Sequence, residues 1–193
     1  MIEERVEYKF LYTNFELINF LKNFELNLNK LFKTRYIKSL YMDTRDFGLY
    51  YRSKYDDISK FKYRYRQYNS SSDIFEEIKY SDFKGKFKYT NKTEFNSFAD
   101  IQKKIYKGYY LVPKTYVSYD REYLSFNNQI RVTIDKNLEF KKYNSNMSES
   151  IKDLNVVEFK KLSDVQNSDF HNLFIKNPVK FSKYEYSIER LFL

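Results

Sequence analysis

The chain has no cysteine and a single histidine, His171. Thiol chemistry, disulfides and Cys/His zinc sites are thereby excluded, and His-centred triads nearly so. Glycine is almost as scarce: Gly48, Gly85 and Gly108 lie far apart, so no Gly-rich loop can cradle a phosphate with backbone N–H groups. Any phosphate must be held by side chains. No apolar run approaches membrane-spanning length, and the start, Met1-Ile2-Glu3-Glu4-Arg5, has no apolar signal core. A soluble, cytoplasmic protein is the expectation. Long Pro/Gly/Ser linkers are missing too; Asn69-Ser70-Ser71-Ser72 and the stretch 144–148 are short enough to be loops between strands. The 193 residues therefore read as one domain, 1–193.

What the chain does have is aromatic mass and positive charge. Its apolar content sits largely in 21 Tyr and 19 Phe, large rings that favour strands. Lys and Arg number 35 against 26 Asp and Glu, a formal charge of +9. A polyanion is the natural partner, although charge alone also fits a Lys-rich solubilising surface.

Period-two alternation marks strands at 5–11, 37–43, 61–67, 74–80, 84–90, 116–124, 129–135 and 155–161. Helical spacing marks 14–30, where Phe15, Ile18, Leu21 and Phe24 share a face, and 94–107, where Phe95, Phe98, Ile101 and Ile105 do so before Gly108. A shorter helix is expected at 164–175, carrying His171 as a surface residue, and another from 183 to the end, where Ser182 and Glu185 have capping-box spacing. The fold class is α+β, mainly β.

In Arg5-Val6-Glu7-Tyr8-Lys9-Phe10 the odd positions are charged and the even ones apolar, which puts charge on one face of a strand and grease on the other. Lys62, Arg64 and Arg66 alternate in the same way with Phe61, Tyr63 and Tyr65; Arg131, Thr133 and Asp135 with Ile130, Val132 and Ile134; Glu158 and Lys160 with Val157 and Phe159. An ordinary antiparallel sheet with one wet face gives alternation as well. Here, though, the polar face carries Arg, Lys and Glu where a generic wet sheet carries Thr, Ser and Asn. A closed barrel with its apolar face outward, under the helices, would turn these charges into a lumen. The candidates are eleven cations (Arg5, Lys9, Lys62, Arg64, Arg66, Lys79, Lys86, Arg121, Arg131, Lys160, Lys183) against four anions (Glu7, Glu77, Asp135, Glu158), an excess of seven. Such a lumen should hold a polyanion.

Eight segments in order complete the picture: Arg5-x-Glu7-x-Lys9, Ser39-Leu40-Tyr41-Met42-Asp43-Thr44, Lys62-Tyr63-Arg64-Tyr65-Arg66, Glu77-Ile78-Lys79, Tyr119-Asp120-Arg121, Arg131-Val132-Thr133-Ile134-Asp135, Val157-Glu158-Phe159-Lys160 and Ser182-Lys183-Tyr184. Over nearly its whole length the chain resembles the catalytic domain of the vacuolar transporter chaperone (VTC) polyphosphate polymerases, within the CYTH or triphosphate tunnel metalloenzyme superfamily. The resemblance implies a closed eight-stranded antiparallel barrel, a triphosphate tunnel with helices packed outside. It also implies binding of ATP and a divalent metal, with transfer of the terminal phosphoryl group to inorganic polyphosphate.

Carried over, it makes Arg64, Arg66, Lys79, Arg121 and Arg131 phosphate-gripping residues with Lys9 beside them. It puts Tyr119, Ser182 and Lys183 on phosphate near the tunnel end and the metal on Glu158. Lys86 is the expected cation of the hairpin after Lys79, with Lys84 and Lys88 sharing its parity. Arg5, Lys62 and Lys160 are possible additions to the cage. Mg2+ or Mn2+ suits carboxylate oxygen; Glu7 and Glu77 stand open between metal ligand, general base and plain ion pair. A hydrolase of tripolyphosphate or nucleoside triphosphates, and a non-catalytic polyphosphate-binding module, are the alternatives. Nucleic acid is the least expected partner, since it calls for an exposed basic stripe.

Overall fold

A computed structural model describes residues 7–56, 59–69, 71–83, 85–161 and 176–193, the side chains of Lys86 and Lys161 excepted. Arg5, His171 and the expected helix at 164–175 lie outside the described residues.

Ten strands form one antiparallel sheet: β1 (Glu7–Tyr12), β2 (Leu28–Asp43), β3 (Lys60–Tyr68), β4 (Ile74–Asp82), β5 (Gly85–Lys92), β6 (Lys104–Tyr106), β7 (Tyr109–Phe126), β8 (Ile130–Lys142), β9 (Ser148–Ile151) and β10 (Asn155–Lys161). The main path holds eight of them, β1-β10-β8-β7-β2-β3-β4-β5, with β6 on β7 and β9 on β8. Among the described residues three α-helices accompany them: α1 (Asn14–Asn23), α2 (Gly48–Tyr55) and α3 (Lys183–Leu191). The eight-strand antiparallel path is the expected one. Its closure is not: β1 and β5, the two end strands, are not neighbours among the described residues. On β5, Lys88 and Lys92 alternate along an edge of the path, and such a charged edge resists further pairing.

The chain divides into two compact units. The first comprises Met1–Arg35, Tyr119–Leu138 and Ile151–Phe181. Its core gathers the even residues of β1 (Phe10, Tyr12) and β8 (Ile130, Val132, Ile134), with Val157 and Phe159 of β10 and Leu17 and Phe20 of α1. Helix α1 starts at a capping box: the Glu16 carboxylate accepts the Thr13 N–H at 2.7 Å, and Thr13 Oγ1 accepts the Glu16 N–H at 3.2 Å. The helix ends at Asn23 instead of reaching residue 30. Asn27 is captured instead, its carbonyl accepting the Asn127 N–H and its Nδ2 donating to Asn127 Oδ1, both at 2.9 Å. Residues from Leu28 then join the sheet. Asn127 and Asn128 are both left-handed (φ 48° and 57°), the conformation of a two-residue hairpin turn of the primed type.

The second unit comprises Tyr36–Ser118, Glu139–Ser150 and Ser182–Leu193. Its core packs Leu40 and Met42 of β2, Phe61, Tyr63 and Tyr65 of β3, and Ile74 and Ile78 of β4 with Leu49 of α2 and Phe98, Ile101 and Leu111. The helix expected at 94–107 is replaced by a 3-10 turn, Phe98–Asp100, capped by Ser97, and by strand β6. Lys107 and Gly108 both take positive φ (46° and 81°), so Tyr106 faces Tyr109 across a two-residue hairpin. Gly108 closes this hairpin where a helix end was expected. Strand β9 begins inside the stretch expected as loop.

Helix α2 had no sequence signal. It exists because Asp43, fully buried, satisfies its N-terminus: the carboxylate accepts the Leu49 and Tyr50 N–H groups at 2.8 and 2.9 Å and also the Tyr184 hydroxyl.

Not every helix covers the apolar face. Tyr184 of α3 stacks on Tyr41 (ring centroids 4.9 Å apart), and Lys62 of β3 donates to Ser182 Oγ at 2.8 Å. Both strand residues lie opposite the core side, so the first turn of α3 docks on the charged face of β2 and β3.

Phe20 is fully buried and meets Phe159 edge-on at 5.9 Å and Tyr12 at 5.5 Å. Phe20→Ala is expected to cost about 3–5 kcal/mol, read as a lowered midpoint in urea denaturation with an unchanged slope.

Candidate active site

Two charged faces result, one in each unit. In the second unit β3, β4 and β5 put Lys62, Lys79 and Lys88 side by side by register. The next pair places Arg64 opposite Glu77. Glu77 is 1% exposed and holds three cations: Arg64 through Nε and Nη2 to Oε2 (2.8 and 2.6 Å), Arg66 Nη1 at 3.3 Å, and Lys88 Nζ to Oε1 at 2.9 Å. Burial pushes this carboxyl up, but the Arg64 and Arg66 guanidiniums and the Lys88 ammonium outweigh it and hold it well below the usual carboxylate range. Arg64 Nη1 also donates to Tyr41 OH at 2.8 Å, and Arg66 Nε to Ser39 Oγ at 3.0 Å. Held in this way, Glu77 serves as the anchor of a cation cluster.

Lys62 is not bare. Its ammonium meets Glu185 Oε1 at 2.9 Å, a carboxylate that strand parity could not reveal because it sits on α3. Ser53 Oγ donates to the same oxygen at 2.6 Å. Lys183 opens α3, and Ser182 is its N-cap. Lys79 is exposed. Lys88 of the hairpin reaches Glu77; the backbone of Lys86 lies one alternation further, opposite Ser81.

In the first unit the pairing is Glu7 with Lys160 and Lys9 with Glu158 across β1 and β10, then Lys160 with Arg131 and Glu158 with Thr133 across β10 and β8. The Lys160 ammonium bridges two carboxylates, Glu7 Oε1 at 2.7 Å and Glu158 Oε1 at 2.9 Å. Burial pushes Glu158 up, while Lys160, Lys9 and Arg121 outweigh it and keep it ionised far into acid. Lys9 Nζ also donates to the Phe181 carbonyl at 3.2 Å. Arg121 is clamped by Asp135 through Nε–Oδ1 (2.5 Å) and Nη2–Oδ2 (2.7 Å), and its guanidinium lies 5.2 Å from the ring centre of buried Tyr119. Arg131 is exposed and lies 5.4 Å over the Tyr123 ring.

The donors around Glu158 fit a hard divalent cation. Glu158 and Glu7 supply two carboxylates on one face, and the Thr133 hydroxyl, cross-strand neighbour of Glu158, is buried without a hydrogen-bond partner among the described residues. No group of three or more His, Cys, Asp or Glu gathers among those residues. A cation here would complete its shell with water and phosphate oxygens, the habit of Mg2+.

Residues 84–192 match the VTC domain. The chain belongs to the VTC domain family. The chain shares its fold with solved structures across almost its entire length. A candidate adenylate cyclase from Bacillus halodurans superposes with a TM-score of 0.60 at 16% identity, covering 99% of this chain and 98% of that one. The PH1819 protein from Pyrococcus horikoshii OT3 gives 0.57 at 14% identity, covering 96% and 99%. HpAC1 from Hippeastrum, a candidate adenylyl cyclase with a dominant triphosphatase activity, gives 0.56 at 12%, covering 98% and 97%. The shared fold is the CYTH-like triphosphate tunnel. No curated protein matches the chain at a significant level. No described helix is long and apolar enough to cross a membrane.

Glu77→Gln removes the anchor while leaving its cations in place. Stability at pH 7 is expected to fall by about 3–5 kcal/mol, the cost of breaking a buried pair. Because the folded carboxyl lies below its unfolded value of about 4.3, its contribution is complete above that pH and is lost as pH falls through and below it. Urea denaturation at pH 7 and pH 3 should therefore show a steep acid loss in the parent chain and a flatter one in the variant.

Proposed function

We propose that this VTC domain is a polyphosphate polymerase that transfers the γ-phosphoryl group of ATP to the end of a polyphosphate chain, with Mn2+ or Mg2+ held at Glu158 and assisted by Glu7. The observation that carries this reading is the contrast between the two charged faces. On one, a single carboxylate gathers Arg64, Arg66 and Lys88, leaving positive charge for phosphate. On the other, Lys160 joins the Glu7 and Glu158 carboxylates beside the Thr133 hydroxyl, oxygen donors of the kind a divalent cation takes. Family membership supports the same assignment.

In the transfer, a terminal oxygen of the chain forms a bond to the γ-phosphorus as the bond to the β–γ bridging oxygen breaks and ADP leaves. Such a step asks for positioning and charge stabilisation more than for a covalent nucleophile, which agrees with a chain lacking cysteine. Arg64, Arg66 and Lys79 grip phosphate oxygens, as do Lys9, Arg121 and Arg131. Arg131 is exposed and has no carboxylate partner among the described residues, so it meets phosphate at least cost. The bound cation supplies charge neutralisation on the transferring phosphoryl group. Ser182 and Lys183 offer a hydroxyl and an ammonium at the start of α3, where peptide dipoles favour anions.

A second reading is a triphosphatase, favoured by the shared fold with HpAC1. The two differ in acceptor, a chain end or water. Incubation with ATP and Mn2+ separates them. Long chains on a gel stained for polyphosphate, with ADP, are the expected products; free phosphate alone would identify the hydrolase, and neither product would leave a binding module. Arg131→Ala is expected to lower turnover about 10²–10³-fold, and Glu158→Gln to remove the metal dependence.

A further inference from the structure

Residues 29–36 of β2 are exposed one after another. A strand with one covered face buries every second side chain. This stretch buries none, although it contains Leu31, Phe32 and Tyr36, which are 42%, 52% and 42% exposed. Phe32 meets the Tyr123 ring edge-on at 5.8 Å, so it stays half in water even with that neighbour in place. The backbone is open as well. On one side β2 is joined to β7, and near its start the Asn27 carbonyl accepts the Asn127 N–H at 2.9 Å while Asn29 Nδ2 donates to Asn128 Oδ1 at 3.4 Å. On the other side, pairing with β3 covers only Ile37–Met42. Asn69 ends it: its N–H donates to the Tyr36 carbonyl at 2.7 Å, its Oδ1 accepts the Tyr36 N–H at 3.1 Å, and its left-handed φ of 53° takes the chain out of the strand. From residue 29 to 35 no strand lies on that side among the described residues. An edge of this kind points every second N–H and C=O into solvent.

Charge selects what can fill the gap. Lys30, Lys33 and Arg35 are exposed, and no acid stands between Glu25 and Asp43. Cations along an edge keep like copies apart, because pairing two of them sets cation against cation. A strand bearing Asp or Glu reverses the sign of that interaction. Single-stranded nucleic acid also favours cations beside rings, but it lacks the row of N–H and C=O groups that completes an open ladder, and an extended peptide has it. We propose that residues 29–35 of β2 form a docking edge at which an acidic, extended segment of a partner protein adds itself to the sheet as a strand. Its apolar side chains would cover Leu31 and Phe32, and its carboxylates would pair with Lys30, Lys33 and Arg35. None of these residues is among those that grip phosphate or metal, so the inference holds whichever acceptor the enzyme uses.

The probe is a synthetic peptide of alternating Glu and Val, titrated into the full chain with excess tripolyphosphate present to occupy cations that hold phosphate. Binding is expected, with amide hydrogen exchange slowed at residues 29–35 and affinity falling as salt is raised. A proline at the centre of the peptide removes an N–H from the new ladder and should weaken binding about tenfold. The same peptide with Lys for Glu should not bind. On the chain, Lys33→Glu and Phe32→Ser are each expected to lower affinity about tenfold, and Lys30→Glu should act like Lys33→Glu. All three positions are exposed, and circular dichroism checks that each variant keeps the fold. Equal binding of the proline peptide would reduce the contact to charge alone, and protection confined to other strands would place the peptide elsewhere. Either result overturns the docking edge, as does a failure to bind the acidic peptide, tighter binding of single-stranded RNA, or self-association of the chain that Phe32→Ser abolishes.

Discussion

Glu77 makes it possible for β3, β4 and β5 to carry cations at adjacent positions of one face. Without a carboxylate among them, Arg64, Arg66 and Lys88 would repel at close range in a poorly hydrated place. With it, two guanidiniums and an ammonium are held in fixed directions while net positive charge survives. Lys160 performs the opposite service between Glu7 and Glu158. The two arrangements are inverted versions of one device, one carboxylate among three cations and one ammonium between two carboxylates.

The strands were legible because the alternation is strict where it matters. Phe61, Tyr63 and Tyr65 are buried in the core and Lys62, Arg64 and Arg66 lie opposite, as parity requires. The faces of Glu77, Arg131, Glu158 and Lys160 follow from the same rule, whereas their cross-strand partners come from the register. What parity could not supply is anything contributed from outside the strands. Glu185, on a helix, offsets part of the positive charge assigned to Lys62. Arg35 escaped because residues 29–36 of β2 are exposed and show no alternation to flag them. At 94–107 the helical spacing was real, yet Phe98 and Ile101 are buried while Ile105 is 71% exposed. The left-handed pair Lys107-Gly108 favours a hairpin, and local turn chemistry outweighs the period.

The second unit also ties its helices to its charged face. Asp43 ends β2, caps α2 and accepts the Tyr184 hydroxyl of α3; Tyr184 stacks on Tyr41, which accepts from Arg64. Ser53 and Lys54 of α2 meet Glu185 and Glu189 of α3. A guanidinium of the charged face is thus three contacts away from a buried carboxylate that organises two helices.

The register of β1 with β10 has a consequence for the birth of the chain. Glu7 finds its partner at Lys160 and Tyr12 at Asn155, so β1 waits for a strand made long after it. Until then Phe10 and Tyr12, buried at the end, lack the strand that covers their backbone. Pairing over so great a sequence distance closes a long loop before any contact rewards it and makes folding slow. Until β10 is made, β1 is an open edge, and the charged Glu7 and Lys9 beside its aromatic residues are its protection against pairing with a neighbouring chain.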